Sequence, residues 1–256
     1  MARWPTGGAR VKRDRVGDPP GPGLDVGTRL PALASQVHAR LRSDILHARL
    51  RPGQGLSENQ LAAQLGVSRT PVREAIQALV REHLVVVLPQ RGSLVARLSI
   101  RRIREALFVR EAVESQVIRS LLAAPPSALA WDTLDACIDR QAQALRAKDL
   151  ESTMRADEDF HRALLALCGM DGVWPVVAQA RDLHQRVRAI AVPELQSGEQ
   201  ALQDHRAIVA ALRAQDVQRA TREMAAHLQH NEALTQQISQ LHPDYFERDA
   251  DVDRTL

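Results

Sequence analysis

The chain is short of aromatic residues, with three tryptophans, three phenylalanines and one tyrosine among 256 residues. A sizeable core must therefore be assembled from Leu, Val, Ile and Ala. Lysine is almost absent, leaving arginine as the working cation. The two cysteines, Cys137 and Cys168, have no metal-type spacing. That excludes a zinc ribbon or a disulfide scaffold, and both read as small hydrophobes inside helical patterns. The sequence also lacks a signal-like apolar segment and any run of about eighteen apolar residues, so the expectation is a cytoplasmic protein without a membrane partner.

Charge is unevenly spread. Residues 1–30 carry a net +3 and residues 31–99 a net +5, whereas the remainder carries −5. A basic front joined to an acidic remainder fits a DNA-facing module attached to one that does not touch DNA, because phosphate neutralisation supplies most non-specific affinity. The first thirty residues, rich in Gly, Pro and Arg, are expected to be disordered, with a basic arm on DNA as the alternative.

The densest information lies between Leu56 and Gly92. Ser57 can cap a helix, with Gln60 three residues on completing a capping box. Leu61 and Leu65 then share its inner face, and Gly66 ends it. Ser68 can cap the next helix, Pro71 is tolerated in its first turn, and Val72, Ile76, Leu79 and Val80 form its buried stripe. Arg69 and Arg73, spaced i, i+4, are left at the exposed N-terminal end, where a recognition helix meets bases and phosphates. Ser68 and Thr70 suit phosphate oxygens. After Glu82, LVVVLPQRGSLVARL reads as a β-hairpin wing with Arg91 and Gly92 at its tip and Leu94, Ala96 and Leu98 on one face.

From about Ile100 the pattern is helical throughout, punctuated at Pro125-Pro126, Lys148-Asp149, Gly169 to Gly172, Pro193 and Gln215-Asp216. These breaks predict six helices in an antiparallel bundle. Within it Asp157 and His161 are i, i+4 on one helix, while His205 and His227 belong to two later ones. Three imidazoles and a carboxylate suit a divalent transition ion such as zinc, nickel or manganese. The same four residues could instead form a polar core cluster.

The segment LRPGQGLSENQLAAQLGVSRTPVREAIQALVREHLVVVLPQRGSLV resembles the winged helix–turn–helix of GntR-type transcriptional regulators. Carried over by residue, that resemblance implies DNA contacts at Ser68, Arg69, Thr70 and Arg73, with Arg91 and Gly92 on the wing. His83 stands where the family often has glycine. Residues 110–228 are similar to the FCD effector domain of the FadR branch: R-E-x-x-E at Arg110 to Glu114, D-x-x-F-H at Asp157 to His161, D-H-x-x-I at Asp204 to Ile208 and A-x-H-L at Ala225 to Leu228. This second resemblance implies a metal held by Asp157, His161, His205 and His227, and a small carboxylate effector for which Arg110 is the candidate partner.

The combined expectation is a mainly α protein. A tail at 1–30 precedes a winged helix–turn–helix at 31–99, an all-α bundle at 100–242 and a C-terminal tail at 243–256. Its function would be that of a homodimeric, effector-responsive regulator, most often a repressor in such families, acting on a pseudo-palindromic operator, with the linker near Ser99 as the transmission point. Two alternatives stand beside it. One is a metal-dependent hydrolase with an appended DNA-binding domain and Glu158 or Asp159 as general base; the other is a constitutive DNA-binding dimer without effector.

Overall fold

The computed structural model describes residues 30–89, 92–125, 128–195 and 197–247. The expectations for the basic tail, for Arg91 at the wing tip and for the end of the C-terminal tail lie outside these residues. The fold is mainly helical, as the periodicity predicts, with one small sheet.

Helix α1 (Leu30–Leu46) packs on the helix–turn–helix formed by α2 (Glu58–Leu65) and α3 (Arg69–Arg81). Ser57 caps α2 by accepting from the Gln60 backbone N–H at 3.4 Å, and Gly66 closes it in the left-handed conformation at φ 68°. Ser68 stands at the N-cap of α3, yet its side chain makes no capping bond there. Val72, Ile76 and Leu79 are buried as expected, joined by Pro71 and Ala75, while Val80 is only half-buried. His83 adopts φ 58°. This is the left-handed region, which histidine tolerates better than most residues.

The wing strands β2 (Val85–Leu88) and β3 (Gly92–Val95) pair antiparallel, with Val85 opposite Val95. A two-residue strand β1 (Gly55–Leu56), which the sequence pattern did not reveal, adds to the other edge of β3, giving the order β1-β3-β2. The expected common face of Leu94, Ala96 and Leu98 is not realised. Val95 turns into the core, Leu94 is half-buried, and the chain leaves the sheet before Ala96 and Leu98 are buried elsewhere.

Six α-helices follow: α4 (Ile100–Ala123), α5 (Asp132–Arg146), α6 (Leu150–Leu167), α7 (Trp174–Leu195), α8 (Gly198–Arg213) and α9 (Val217–Leu241). Two corners share one chemistry. Lys148 and Gln215 both take φ 54°, and the following Asp149 and Asp216 cap α6 and α9 by accepting from the Ser152 and Arg219 backbone N–H groups. The break expected at Pro193 is displaced, because α7 runs through this proline to Leu195. At the next corner an added Cβ on Gly198 would run into Leu145 Cδ2 of α5, so a side chain there would require the Leu145 side chain to shift.

The bundle core gathers Leu121, Leu134, Phe160, Leu164, Leu212 and Met224, while a separate core under the wing gathers Val37, Ile45, Val72 and Leu79. A third, small cluster sits between them and includes Leu98, Ile103, Val187, Ile238 and Phe246. Here the start of the expected C-terminal tail proves structural. Leu98 N–H donates to Tyr245 O at 2.8 Å and Glu247 N–H to Leu98 O at 2.9 Å, so residues 245–247 clamp the linker.

Candidate DNA-reading surface and buried metal centre

Ser68, Arg69, Thr70, Arg73 and Gly92 are all exposed. The two arginines do not stand alone. Glu58 of α2 accepts from Arg73 Nη2 at 3.0 Å and from Arg69 Nη2 at 3.2 Å, so one carboxylate tethers both guanidinium groups. Its pKa is lowered, chiefly by the bond from Arg73. Glu58 was not singled out from the sequence, although its position one residue after a capping serine was the available signal.

In the bundle, α6 presents Asp157 and His161, α8 presents His205 and α9 presents His227. One ligand atom from each lies within 4.8 Å of all the others, and all four side chains are buried. The outer nitrogens of the three imidazoles are each held by an acceptor: His161 Nδ1 by Glu114 Oε2 at 2.5 Å, His205 Nδ1 by Gln141 Oε1 at 2.8 Å and His227 Nδ1 by Asp204 Oδ2 at 3.3 Å. This places the proton on Nδ1 of every ring and turns three Nε2 lone pairs inward, the usual outer-shell arrangement around a metal-binding histidine.

The inner atoms fit a cation. His161 Nε2 and His227 Nε2 lie 3.2 Å apart, an unfavourable approach of two lone pairs that a positive charge between them relieves. His205 Nε2 and Asp157 Oδ1 are buried without a hydrogen-bond partner and 3.6 Å from one another. Burial pushes His161 down to about 3 and His205 well below the ordinary imidazole value, so both rings are neutral at neutral pH. Burial works against an ionised Asp157, but Arg188 and Arg181 outweigh it and keep the carboxylate charged.

Arg110, the expected effector partner, is buried on α4. Its Nε donates to Glu114 Oε1 at 2.7 Å and its Nη2 reaches His161 Nε2 at 3.4 Å. The arginines that reach Asp157 are instead Arg181 at 2.8 Å and Arg188 at 2.6 Å, both from α7. With His184 they stand at i, i+3 and i+7, a polar stripe on one face of α7. Two cavities flank the centre. One of about 10 Å³ is lined by Arg110, Asp157, Arg181, His184 and Arg188; the other, of about 120 Å³, lies against His227, Arg188, Ser197, Asp204 and Asn231. Arg188 Nη2 and Ser197 Oγ are buried without a partner beside the larger one.

Comparison with known proteins agrees with this geometry. Residues 33–95 match the family described as bacterial regulatory proteins, gntR family, and residues 105–230 match the FCD domain. An HTH-type transcriptional regulator in an unstable DNA locus of Streptomyces ambofaciens is 37% identical over 214 residues, covering 84% of this chain and 89% of the relative. The HTH-type transcriptional repressor RspR of Escherichia coli is 31% identical over 211 residues, covering 82% and 92%. Among solved structures, a GntR transcriptional regulator from Rhodococcus sp. RHA1 has a TM-score of 0.67 at 25% identity, covering 79% of this chain and 96% of that one. McbR/YncC of Escherichia coli has a TM-score of 0.66 at 25% identity, covering 80% and 98%. The Streptomyces and Rhodococcus relatives and RspR carry the names of transcriptional regulators, not of enzymes. Among the described residues no helix is long and apolar enough to cross a membrane. The chain belongs to the GntR family of transcriptional regulators, pairing a gntR-type winged helix with an FCD domain.

Proposed function

We propose that this regulator is a homodimeric repressor of the FadR branch whose grip on a pseudo-palindromic operator is set by a metal-assisted effector site. The division of labour follows the expected one, with residues 31–99 reading DNA and the helices from residue 100 onward sensing the effector and dimerising. Ser68, Arg69, Thr70 and Arg73 would face the major groove, with Arg91 and Gly92 on the wing.

One observation carries the effector reading: three inward Nε2 atoms and the Asp157 carboxylate converge within 4.8 Å, with each imidazole fixed from behind. Asp157, His161, His205 and His227 would hold zinc, nickel or manganese, with zinc the best match to the donor set. The bound ion supplies a positive charge and open coordination positions. A small carboxylate entering the 120 Å³ cavity would meet that charge, Arg188 and the Ser197 hydroxyl. Arg110 then acts one step back, holding Glu114 and through it His161.

An effector changes DNA affinity only if it favours one placement of the reading heads over another. The test is fluorescence anisotropy of an operator fragment, selected from random DNA by the protein itself, titrated with a panel of small carboxylates on zinc-loaded protein. Release of DNA by one of them, lost in Arg188→Ala, supports the reading. Operator affinity unmoved across the whole panel at saturation favours the constitutive dimer instead.

A further inference from the structure

Helix α7 carries two stripes of polar side chains that serve different parts of the molecule. Arg181, His184 and Arg188 face the buried centre, and both arginines bind the same Asp157 oxygen. Asp182 and Arg186, spaced i, i+4, face the DNA-reading half. Asp182 forms an ion pair with Arg42 of α1, and Arg186 donates to the carbonyl of Ala96 just beyond β3. Arg42 has a second bond. Its Nε donates to Glu82 at 3.0 Å, and Glu82 is the C-cap of the recognition helix α3. A continuous physical connection therefore runs from Asp157 through α7 and Arg42 to the end of α3.

The surroundings favour motion of α7 as a unit. Its residues Arg186 to Ala191 are all buried, and a packed helix transmits displacement instead of absorbing it. Arg186 is almost wholly buried with its Nε unpaired, held by the single carbonyl of Ala96. On the inner side, Asp157 divides one negative charge among Arg181, Arg188 and the ligand set. When Asp157 shares that charge with a bound cation, its hold on both guanidinium groups weakens, and the balance that positions α7 changes.

We infer that α7 is the coupling element of this regulator, with the Asp182–Arg42–Glu82 junction as its output to the DNA-reading helix. The inference rests on the metal reading above and differs from the expected route through the linker at Ser99, which is separately clamped by Tyr245 and Glu247. Sequence neighbours do the work here: Arg181 and Asp182 point to opposite partners from adjacent positions.

Hydrogen–deuterium exchange on the full chain tests it, comparing chelator-stripped protein with protein saturated with zinc alone. The unmodified chain, Asp182→Asn and Glu82→Gln are measured side by side. In the unmodified chain zinc should slow exchange in α6, α8 and α9 and also alter it in α1 and the last turn of α3. In Asp182→Asn the first effect should persist and the distal one disappear; in Glu82→Gln the change in α3 alone should be lost. A distal change that survives Asp182→Asn undiminished, one confined to residues 97–102, or no distal change despite protected α6, α8 and α9, overturns the coupling. No zinc protection anywhere in the unmodified chain overturns the metal reading itself, and this inference with it.

Discussion

Glu58 and Arg73 form a bonded pair across the helix–turn–helix, with the carboxylate accepting from Nε at 3.2 Å and from Nη2 at 3.0 Å. The same carboxylate reaches Arg69, so the two arginines proposed to read DNA share one orienting partner. Orientation matters because a guanidinium reads a base edge through a planar, bidentate fit.

Replacing Arg69 or Arg73 by Ala should weaken binding to a selected operator by roughly one to two orders of magnitude if that arginine reads a base. Metal content and melting temperature should not change. Anisotropy titration against operator and random DNA checks this, and undiminished operator affinity would refute the recognition-helix assignment.

Glu58→Ala should have a different signature. Random-sequence DNA should be bound more tightly, because a negative charge beside the phosphates is removed, while selectivity for the operator falls as the arginines lose their common tether. The ratio of the two dissociation constants, followed against salt, reads this out. An unaltered ratio would mean that Glu58 serves only the fold.

Gln141→Leu keeps the volume behind His205 but removes the acceptor that fixes its ring. Outer-shell losses of this kind cost about 10–100-fold in metal affinity. Competition with a chromogenic zinc chelator measures it, and wild-type affinity in the variant would show that the His205 tautomer is held by something else.

The metal-free protein should lose stability as pH falls. Burial sets both His161 and His184 to about 3, against 6.5 in the unfolded chain. Between those values the unfolded state binds more protons than the folded one, so stability is fully present above pH 6.5 and declines as pH drops toward 3. The lowered Asp157 and Glu114 act in the same direction at the acid end. Urea midpoints in chelator at pH 7 and pH 5 should differ in that order; equal midpoints would contradict the neutral, buried histidines.

Phe246→Ala should destabilise the protein by about 3–5 kcal/mol, the range for a buried aromatic truncated in a core. Phe246 is 4% exposed and packs at the linker junction. A negligible shift in the denaturation midpoint would show that the clamp of residues 245–247 on Leu98 contributes little.

Much of this was legible in the sequence because it is written in local rules. Ser57, Gly66 and Pro71 mark the helix–turn–helix by capping and backbone freedom, and the Lys148-Asp149 and Gln215-Asp216 corners announce themselves in the same way. Asp157 and His161 stand together by helical spacing. The remainder depends on tertiary placement. Spacing within one helix cannot say that Glu114, Gln141 and Asp204 from three other segments would each back a different imidazole. Nor could the motif around Arg110 reveal that Glu114 and His161 occupy it, while Arg181 and Arg188 take the place beside Asp157. Pro193 misled because a proline near a helix end can sit within the last turn, where the following residues continue the helix to Leu195.

The proposed function stands or falls with Asp157, His161, His205 and His227 holding a metal ion. Metal analysis of protein purified without chelators or a metal-affinity tag tests it most directly, on the unmodified chain beside His205→Ala and His227→Ala. Near-stoichiometric divalent metal is expected in the first and its loss in both variants, with basal operator binding retained. Correctly folded, DNA-binding protein that takes up no metal even when zinc is supplied would contradict it, and the four residues would then be a polar cluster in the core of the bundle.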